Sequence, residues 1–81
     1  MEQNAIIYSK TYQMKELGLK IKELREKNSL SQNKLAKSIG ITRQAVNLWE
    51  KGETVPRLSK INKLAQAFNC NSNEIVAYLF N

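Results

Sequence analysis

Residues 32–49 read QNKLAKSIGITRQAVNLW, and their pattern gives the clearest indication of the fold. Its apolar residues recur at helical spacing on both sides of Gly40, a residue suited to the left-handed position that ends a helix. Ser31 and Thr42 each precede a helical segment and can cap it with a side-chain oxygen. The stretch therefore predicts two short helices joined by a tight turn, with the small Ala36 where the helices approach each other. Their shared core would comprise Leu35, Ala36, Ile39, Ile41, Ala45, Val46 and Trp49.

Helical periodicity continues upstream of this stretch. Within residues 14–27, apolar side chains recur at i, i+4 and i+7 while lysines and glutamates occupy the other faces, so the spacing predicts an amphipathic first helix. Gly18 either lies inside this helix, at a cost of roughly 1 kcal/mol against alanine, or marks its start. Asn28 and Ser29 are predicted to end it, because Asn tolerates the left-handed conformation. The three apolar residues are Leu17, Ile21 and Leu24.

Two more helices are predicted downstream of a loop at residues 53–56. The first is expected to end at Asn69, and the second to follow the cap residue Ser72, with Glu74 near its positive N-terminus. The predicted fold is therefore all-α, with five short helices. The inward residues would be Leu58, Ile61, Leu64, Ala65 and Phe68 in the fourth helix and Ile75, Val76 and Leu79 in the fifth.

The first thirteen residues, MEQNAIIYSKTYQ, do not share the helical pattern. Their β-branched and tyrosine content suits an arm, a strand or an extension of the first helix, and nothing local decides among these. The whole chain has 81 residues, which fits one small domain. We therefore interpret residues 1–13 as an N-terminal arm or extension and residues 14–81 as the domain.

The chain is strongly basic, with 13 lysines and arginines against 7 acidic residues and a net charge of +6. Such a charge favours a polyanionic partner, either nucleic acid or an anionic membrane, and does not choose between them. No apolar run reaches the ~18 residues of a membrane span. The N-terminal residues also lack the apolar block of a signal peptide. We therefore expect a cytoplasmic protein without a membrane segment.

The residues that most enzymes use are scarce in this sequence. It contains no histidine, which is the commonest metal ligand and the commonest general base at neutral pH, and Cys70 is its only cysteine. A single cysteine excludes an internal disulfide and a two-cysteine metal site. We therefore expect no metal, no cofactor and no catalytic activity. Cys70 is interpreted as a small buried hydrophobe rather than a redox sensor, and Trp49 as a core residue.

Two short helices joined at a glycine form a helix-turn-helix arrangement. The sequence IKELREKNSLSQNKLAKSIGITRQAVNLWEKGETVP, residues 21–56, resembles the Cro and phage-repressor type of helix-turn-helix proteins, also called the xenobiotic-response-element family. The resemblance extends over residues 15–79 and includes the Trp49–Glu50 pair before Gly52. It implies a compact five-helix, lambda-repressor-like domain that binds double-stranded DNA.

The resemblance assigns residues 42–51 as the recognition helix, with Arg43, Gln44, Asn47 and Leu48 facing the bases of the major groove. The spacing agrees, because these residues share one side of a helix whose core positions point the other way. Arginine suits guanine O6 and N7, and glutamine suits adenine N7 and N6. Asn47 can act similarly. Leu48 either touches a thymine methyl group or packs against the domain without reading a base.

Other residues match family positions with supporting roles. Six residues are predicted to contact the DNA backbone, and for the four that the resemblance carries over, Gln32, Lys51, Thr54 and Arg57, the alternative is a solvated side chain without DNA contact. Gln32 would also brace the recognition helix from the N-terminus of the preceding helix. Arg25 and Glu50 match a family ion pair that orients the recognition helix. The six are Gln32, Asn33, Thr42, Lys51, Thr54 and Arg57.

The function that best fits these features is a sequence-specific, double-stranded DNA-binding transcriptional repressor. It is expected to act as a homodimer on an inverted repeat, with Tyr78, Leu79 and Phe80 as the dimer surface or the N-terminal arm as the second candidate. An antitoxin or a restriction-modification controller of the same fold remains an alternative, and a toxin or antirepressor as protein partner is left open. A protein-protein adaptor that does not bind DNA is the alternative from another class.

Overall fold

Helices account for the regular structure of residues 2–80, the part of the backbone that the computed structural model describes; side chains are described for residues 11–78. The prediction of an all-α fold with five helices is confirmed. α1 packs on α3 and α5, α2 packs on α3 and α4, and α4 packs on α5. The five helices are α1 (Glu2–Lys27), α2 (Gln32–Ile39), α3 (Arg43–Glu50), α4 (Leu58–Ala67) and α5 (Asn73–Phe80).

α1 is longer than the apolar spacing predicted, because the helix begins at Glu2 and not near Met14. Of the three alternatives for the first residues, the structure has the helical extension from Glu2 onward. Gly18 lies inside α1 and does not mark its start. No helix within residues 2–80 combines the length and apolarity that a bilayer span requires.

Gly18 lies in the middle of a helix because α1 crosses the end of α3 at very short range. A Cβ atom at position 18 would lie 2.7 Å from the carbonyl oxygen of Glu50 and closer still to that of Trp49. Gly52, after the end of α3, also lies close to the backbone of α1, since a Cβ at position 52 would lie 2.9 Å from the Cα of Lys15. Gly52 also has a φ of 76°, which favours glycine. The two glycines let the backbones of α1 and of the α3 end lie against each other.

The core is apolar and draws on all five helices. The predicted inward residues of α1, α2 and α3 are buried, except that Ala45 and Ile41 are half-buried. Trp49 is buried as predicted. Cys70 is half-buried and packs against the core, where burial, followed by the nearby Glu74 carboxylate, raises the pKa of its thiol above the ordinary value. The buried apolar side chains of the last two helices are Ile61, Leu64, Ala65 and Phe68 of the α4 region and Ile75 of α5, whereas Val76 is half-buried.

The prediction that Leu58 points inward is wrong, because its side chain is 64% exposed. Leu58 is the first residue of α4, and helical side chains lean toward the N-terminus. Its side chain therefore extends beyond the packed part of the helix, although it shares a face with Ile61. Leu79, also predicted to point inward, lies outside the described side chains.

The helix ends of the central motif follow the predicted capping pattern. The Oγ atom of Ser31 accepts a hydrogen bond from the backbone N–H of Lys34 at 3.0 Å, and Oγ1 of Thr42 accepts one from the N–H of Ala45 at 3.1 Å. Gly40 ends α2 with a φ of 72° in the left-handed region. Gly40 and Thr42 make the turn between α2 and α3 as tight as the sequence predicts, while Ser31 caps the start of α2.

Two predicted helix ends are wrong in detail. The left-handed residue after α1 is Ser29, with a φ of 57°, and not Asn28. The Asn28 side chain instead donates to the carbonyl of Leu24 at 2.7 Å, which keeps its own backbone near the helix. Asn69 follows the end of α4, as predicted, and adopts the left-handed conformation with a φ of 53°.

The side chain that caps α5 belongs to Asn71 and not to Ser72. The Oδ1 atom of Asn71 accepts a hydrogen bond from the N–H of Asn73 at 2.9 Å. Glu74 reaches back, and its carboxylate accepts one from the N–H of Asn71 at 3.3 Å. These two bonds cap the start of α5, while the carbonyl of Ser72 accepts from the N–H groups of Ile75 and Val76.

Candidate nucleic-acid interface

α3 has one buried side and one exposed side. Val46 and Trp49 are buried against the core, which turns the opposite side of the helix outward. Arg43 and Gln44 are fully exposed in the first turn. Asn47 and Leu48, the other predicted base-reading residues, are half-buried one turn further on. The structure therefore brings all four onto the side of α3 that faces away from the core.

The orientation of α3 is fixed at both of its ends. At its start, the N–H of Ile41 donates to the carbonyl of Ala36 at 3.0 Å, which closes the turn from α2. At its end, the carbonyls of Trp49 and Glu50 lie against Gly18 of α1. The helix is thus held between α2 and α1 and cannot change its angle without moving one of them.

Arg25 and Glu50 form a buried ion pair at this second end. Nε of Arg25 donates to Oε2 of Glu50 at 2.7 Å, and Nη2 donates to Oε1 at 3.1 Å. Nη1 donates to the carbonyl of Leu30 at 2.8 Å, so the guanidinium also fixes the chain between α1 and α2. The side chains of the pair are only 11% and 5% exposed. The hydrogen bond to Glu50 raises the pKa of Arg25 above its ordinary value against the opposing effect of burial.

Gln32, predicted to contact phosphate, is directed at α3. Its Nε2 donates to Oε1 of Glu50 at 3.1 Å and to Oδ1 of Asn47 at 3.4 Å. These bonds use the two hydrogens of the amide. Gln32 is also the first residue of α2, where backbone N–H groups lack a partner within the helix. Its side chain therefore braces α3, and a phosphate at this point would meet the helix N-terminus.

The other predicted backbone-contacting residues lie on the surface around α3. Asn33, Thr42, Lys51, Thr54 and Arg57 are all exposed. The loop between α3 and α4 is pinned to the recognition motif, because the N–H of residue 53 donates to the carbonyl of residue 48 at 3.0 Å. The five side chains therefore surround α3 at the start of α2, the turn and the following loop.

The charge of the chain is concentrated around these elements. Residues 28–72 contain seven lysines and arginines and two acidic residues, Glu50 and Glu53. The Glu50 carboxylate is already paired with Arg25, and α2 and α3 have no acidic residue in their first turns. The exposed charge of this segment is therefore almost entirely positive, as a surface that binds a polyanion requires.

Sequence reasoning missed two features of the site. It noted the cost of Gly18 but not the close crossing that requires a glycine there. A glycine retained inside an amphipathic helix is itself the signal for such an approach. It also placed Gln32 and Asn47 in separate roles, whereas their side chains are hydrogen-bonded to each other. No spacing rule along the chain links two residues on different helices.

Comparison with known proteins agrees with this architecture. The helix-turn-helix family model matches residues 21–75. An uncharacterized HTH-type transcriptional regulator of Bacillus subtilis, YgzD, is 41% identical over 56 residues, which cover 69% of this chain and 85% of that protein. Two uncharacterized HTH-type transcriptional regulators of Archaeoglobus fulgidus are 36% and 32% identical over 59 residues, covering 73% of this chain and 83% and 84% of theirs.

The family-model match spans both helices of the motif and most of the core around them. The matches confirm the resemblance to the Cro and phage-repressor type that the sequence of residues 21–56 carries. The chain belongs to the helix-turn-helix family of DNA-binding transcriptional regulators.

Proposed function

We propose that this protein represses transcription by binding, as a homodimer, to an operator with inverted-repeat symmetry. In this proposal α3 enters the major groove of each half-site, and the protein carries out no chemical reaction. The observation that carries the proposal is the exposed side of α3, where polar side chains project from a helix whose other side is buried in the core.

Base recognition is assigned to the side chains on that exposed side. Arg43 offers two parallel donors to guanine O6 and N7, and Gln44 offers a donor and an acceptor to adenine N7 and N6. Both are free of the core and lie in the first turn of α3, the part of a recognition helix that reaches deepest into the groove. Asn47 and Leu48 would extend the readout by one turn. The half-buried position of Leu48 suits a contact with a thymine methyl group at the edge of the groove.

Backbone contacts are assigned to the exposed residues around α3. Lys51 and Arg57 supply positive charge on the loop side, and Asn33, Thr42 and Thr54 supply hydrogen-bonding groups. The N-terminus of α2 at Gln32 adds partly positive backbone N–H groups. Contacts of this kind set the register of the protein on the duplex without reading its sequence.

A dimer is proposed because one half-site gives too little contact for tight binding at physiological salt. We assign the dimer surface to α5, the final helix, whose described residue Tyr78 is half-buried. The second candidate is the N-terminal extension in α1, where Tyr12 is 64% exposed, and Leu19 further along the same helix is 58% exposed. Apolar side chains of this size on a surface favour a protein contact.

Selection of bound fragments from a pool of random duplexes tests the proposal. The expected result is an inverted repeat whose half-sites lie about 34 to 36 Å apart, one helical turn. Analytical ultracentrifugation of the complex should then give two chains per site. A single asymmetric site that binds one chain would refute the dimer, and binding without sequence preference would refute the operator.

Transcription in vitro from a promoter that overlaps the selected site tests the direction of regulation. The protein should lower transcript yield, and an Arg43→Ala variant should do so only at higher concentration. Increased transcript yield from the same template would contradict repression.

A further inference from the structure

A series of hydrogen bonds runs from the interior of the domain to the exposed side of α3. Arg25 donates to Glu50 at 2.7 and 3.1 Å, and Gln32 donates to Glu50 at 3.1 Å and to Asn47 at 3.4 Å. Asn47 and Glu50 stand one turn apart on α3, so a single amide of α2 reaches both. We call these four side chains the polar relay.

The chemistry of the relay fixes the direction of every bond in it. A guanidinium can only donate and a carboxylate can only accept, so the end formed by Arg25 and Glu50 has one possible polarity. The Gln32 atom that faces Glu50 must therefore be the nitrogen. That nitrogen also faces Asn47, so the Asn47 atom that faces it must be the oxygen. The orientation of both amides follows from the charged pair and is not a free choice.

This orientation has a consequence for the surface of α3. With Oδ1 of Asn47 held toward Gln32, the Nδ2 group lies on the other side of the amide with two hydrogens to donate. Asn47 is half-buried and lies on the side of α3 that faces away from the core, so we assign Nδ2 as the group that meets a ligand. An asparagine that is free to rotate could present either a donor or an acceptor. In this structure the relay selects the donor.

We propose that Gln32 is a specificity-determining positioning residue, which sets Asn47 to read a hydrogen-bond acceptor on a base edge. The acceptors of the major groove are guanine O6 and N7, adenine N7 and thymine O4, whereas cytosine N4 and adenine N6 are donors. The proposal rests on the proposed function and adds the chemistry that one position of α3 recognises. A phosphate oxygen is also an acceptor, and the experiment distinguishes it from a base.

Two substitutions at position 32 should affect the base preference of Asn47 differently. Gln32→Met keeps the length of the side chain but removes the donor, so the Asn47 amide becomes free and base preference at one position should relax. Gln32→Glu replaces the donor by an acceptor, and the Glu50 carboxylate, which lies 3.1 Å from the Gln32 nitrogen, repels the introduced carboxylate toward Asn47. The Asn47 amide should then turn to donate to the introduced carboxylate, which leaves Oδ1 outward and favours adenine N6 or cytosine N4. Gln66→Glu, at an exposed position of α4, is the control for the added negative charge.

The experiment is random-duplex selection with the wild-type chain and with the Gln32→Met, Gln32→Glu, Asn47→Ala and Gln66→Glu variants. Helix content and a thermal melt establish that each variant is folded. In the wild type, one position per half-site should prefer an acceptor, and Asn47→Ala and Gln32→Met should reduce that preference roughly 5- to 100-fold. Gln32→Glu should reverse it, while Gln66→Glu should leave every preference unchanged.

A second measurement removes the acceptor from the DNA. Where the selected base is adenine, whose major-groove acceptor is N7 alone, replacing it by the 7-deaza analogue should weaken binding of the wild type and leave Asn47→Ala unaffected. If Asn47→Ala instead lowers affinity equally for all sequences, Asn47 contacts a phosphate and the proposal is overturned. If Gln32→Met keeps the wild-type preferences and only weakens binding, Gln32 has no role in specificity and the proposal is also overturned.

These outcomes are distinct from a failure of the proposed function. A wild-type chain that selects no sequence at all would refute the operator and with it the role of α3. A wild-type chain that selects a clear operator while the Gln32 variants keep its preferences would refute only the relay. The Gln32→Met variant carries no new charge, so it keeps the test decisive if Gln32→Glu fails to fold.

Discussion

Removal of Arg25 is expected to destabilise the domain strongly, because its guanidinium is the main partner of a buried carboxylate. Arg25→Ala would leave Glu50, whose side chain is 5% exposed, with a single donor from Gln32. It would also remove the donor to the carbonyl of Leu30. Leaving one charge of a buried pair uncompensated costs about 3–5 kcal/mol. Small domains have only about 5–15 kcal/mol of stability in total, so a large part of the population would unfold on warming.

The double variant shows whether Arg25 and Glu50 contribute to the free energy of unfolding as a coupled pair or independently. Glu50→Ala should also cost about 3–5 kcal/mol, since the Arg25 guanidinium then lacks its counter-charge. With both replaced, no buried charge remains, and the loss should fall short of the sum of the single losses by up to about 3 kcal/mol. Urea denaturation measures all three, with unchanged m-values as the sign that the unfolded states are comparable.

The exposed residues Lys22 and Glu26 of α1 provide a matched control. Their alanine variants should each change stability by about 0.5 kcal/mol or less, as expected for surface positions. The argument from burial would be refuted if the stability losses of Arg25→Ala and Glu50→Ala were strictly additive. It would also be refuted if each single loss were as small as those of the control variants.

Three further predictions follow from the same structure. Gly18→Ala should lower stability in urea by about 1–3 kcal/mol despite the better helix propensity of alanine, because its methyl group meets backbone carbonyls, whereas Leu19→Ala on the exposed side should have little effect. Arg43→Ala should reduce the ratio of operator to random-duplex affinity by about 1–3 kcal/mol per half-site, while Lys51→Ala should weaken both equally and lower the slope of log affinity against log salt by about 1. Cys70 should react with iodoacetamide at pH 8 more slowly in the folded chain than in urea, because a raised thiol pKa means less thiolate at the same pH; equal rates would contradict its burial.

The local features of the fold could be predicted because they depend on residues three or four positions apart. The caps at Ser31 and Thr42 and the left-handed stop at Gly40 need only the neighbouring backbone, so the sequence was sufficient for them. Asn28 shows the limit of that reasoning. Its side chain donates a hydrogen bond to the carbonyl of Leu24 in the preceding turn, and the residue in the left-handed conformation is Ser29.

The features that failed or went unseen depend on contacts between helices. Leu58 has the right spacing, but periodicity does not reveal where the core ends along α4. The bonds from Gln32 to Asn47 and Glu50 join α2 to α3 across 15 and 18 positions of the chain. The Arg25–Glu50 pair joins positions 25 apart, and only the family resemblance pointed to it. Rules based on spacing within one helix cannot predict contacts between residues that are so far apart in the sequence.

The way α3 is held has an evolutionary consequence. Its C-terminal end is fixed by Trp49, Glu50 and the contact with Gly18, whereas Arg43 and Gln44 project freely from its first turn. Substitutions at the free end therefore cost little stability, while those at the fixed end are constrained by folding. Under the proposed function, a lineage could therefore exchange one target sequence for another by drift at two or three positions, without passing through an unfolded ancestor. The same division would make the first turn of α3 the place to randomise when a regulator with a new target is wanted.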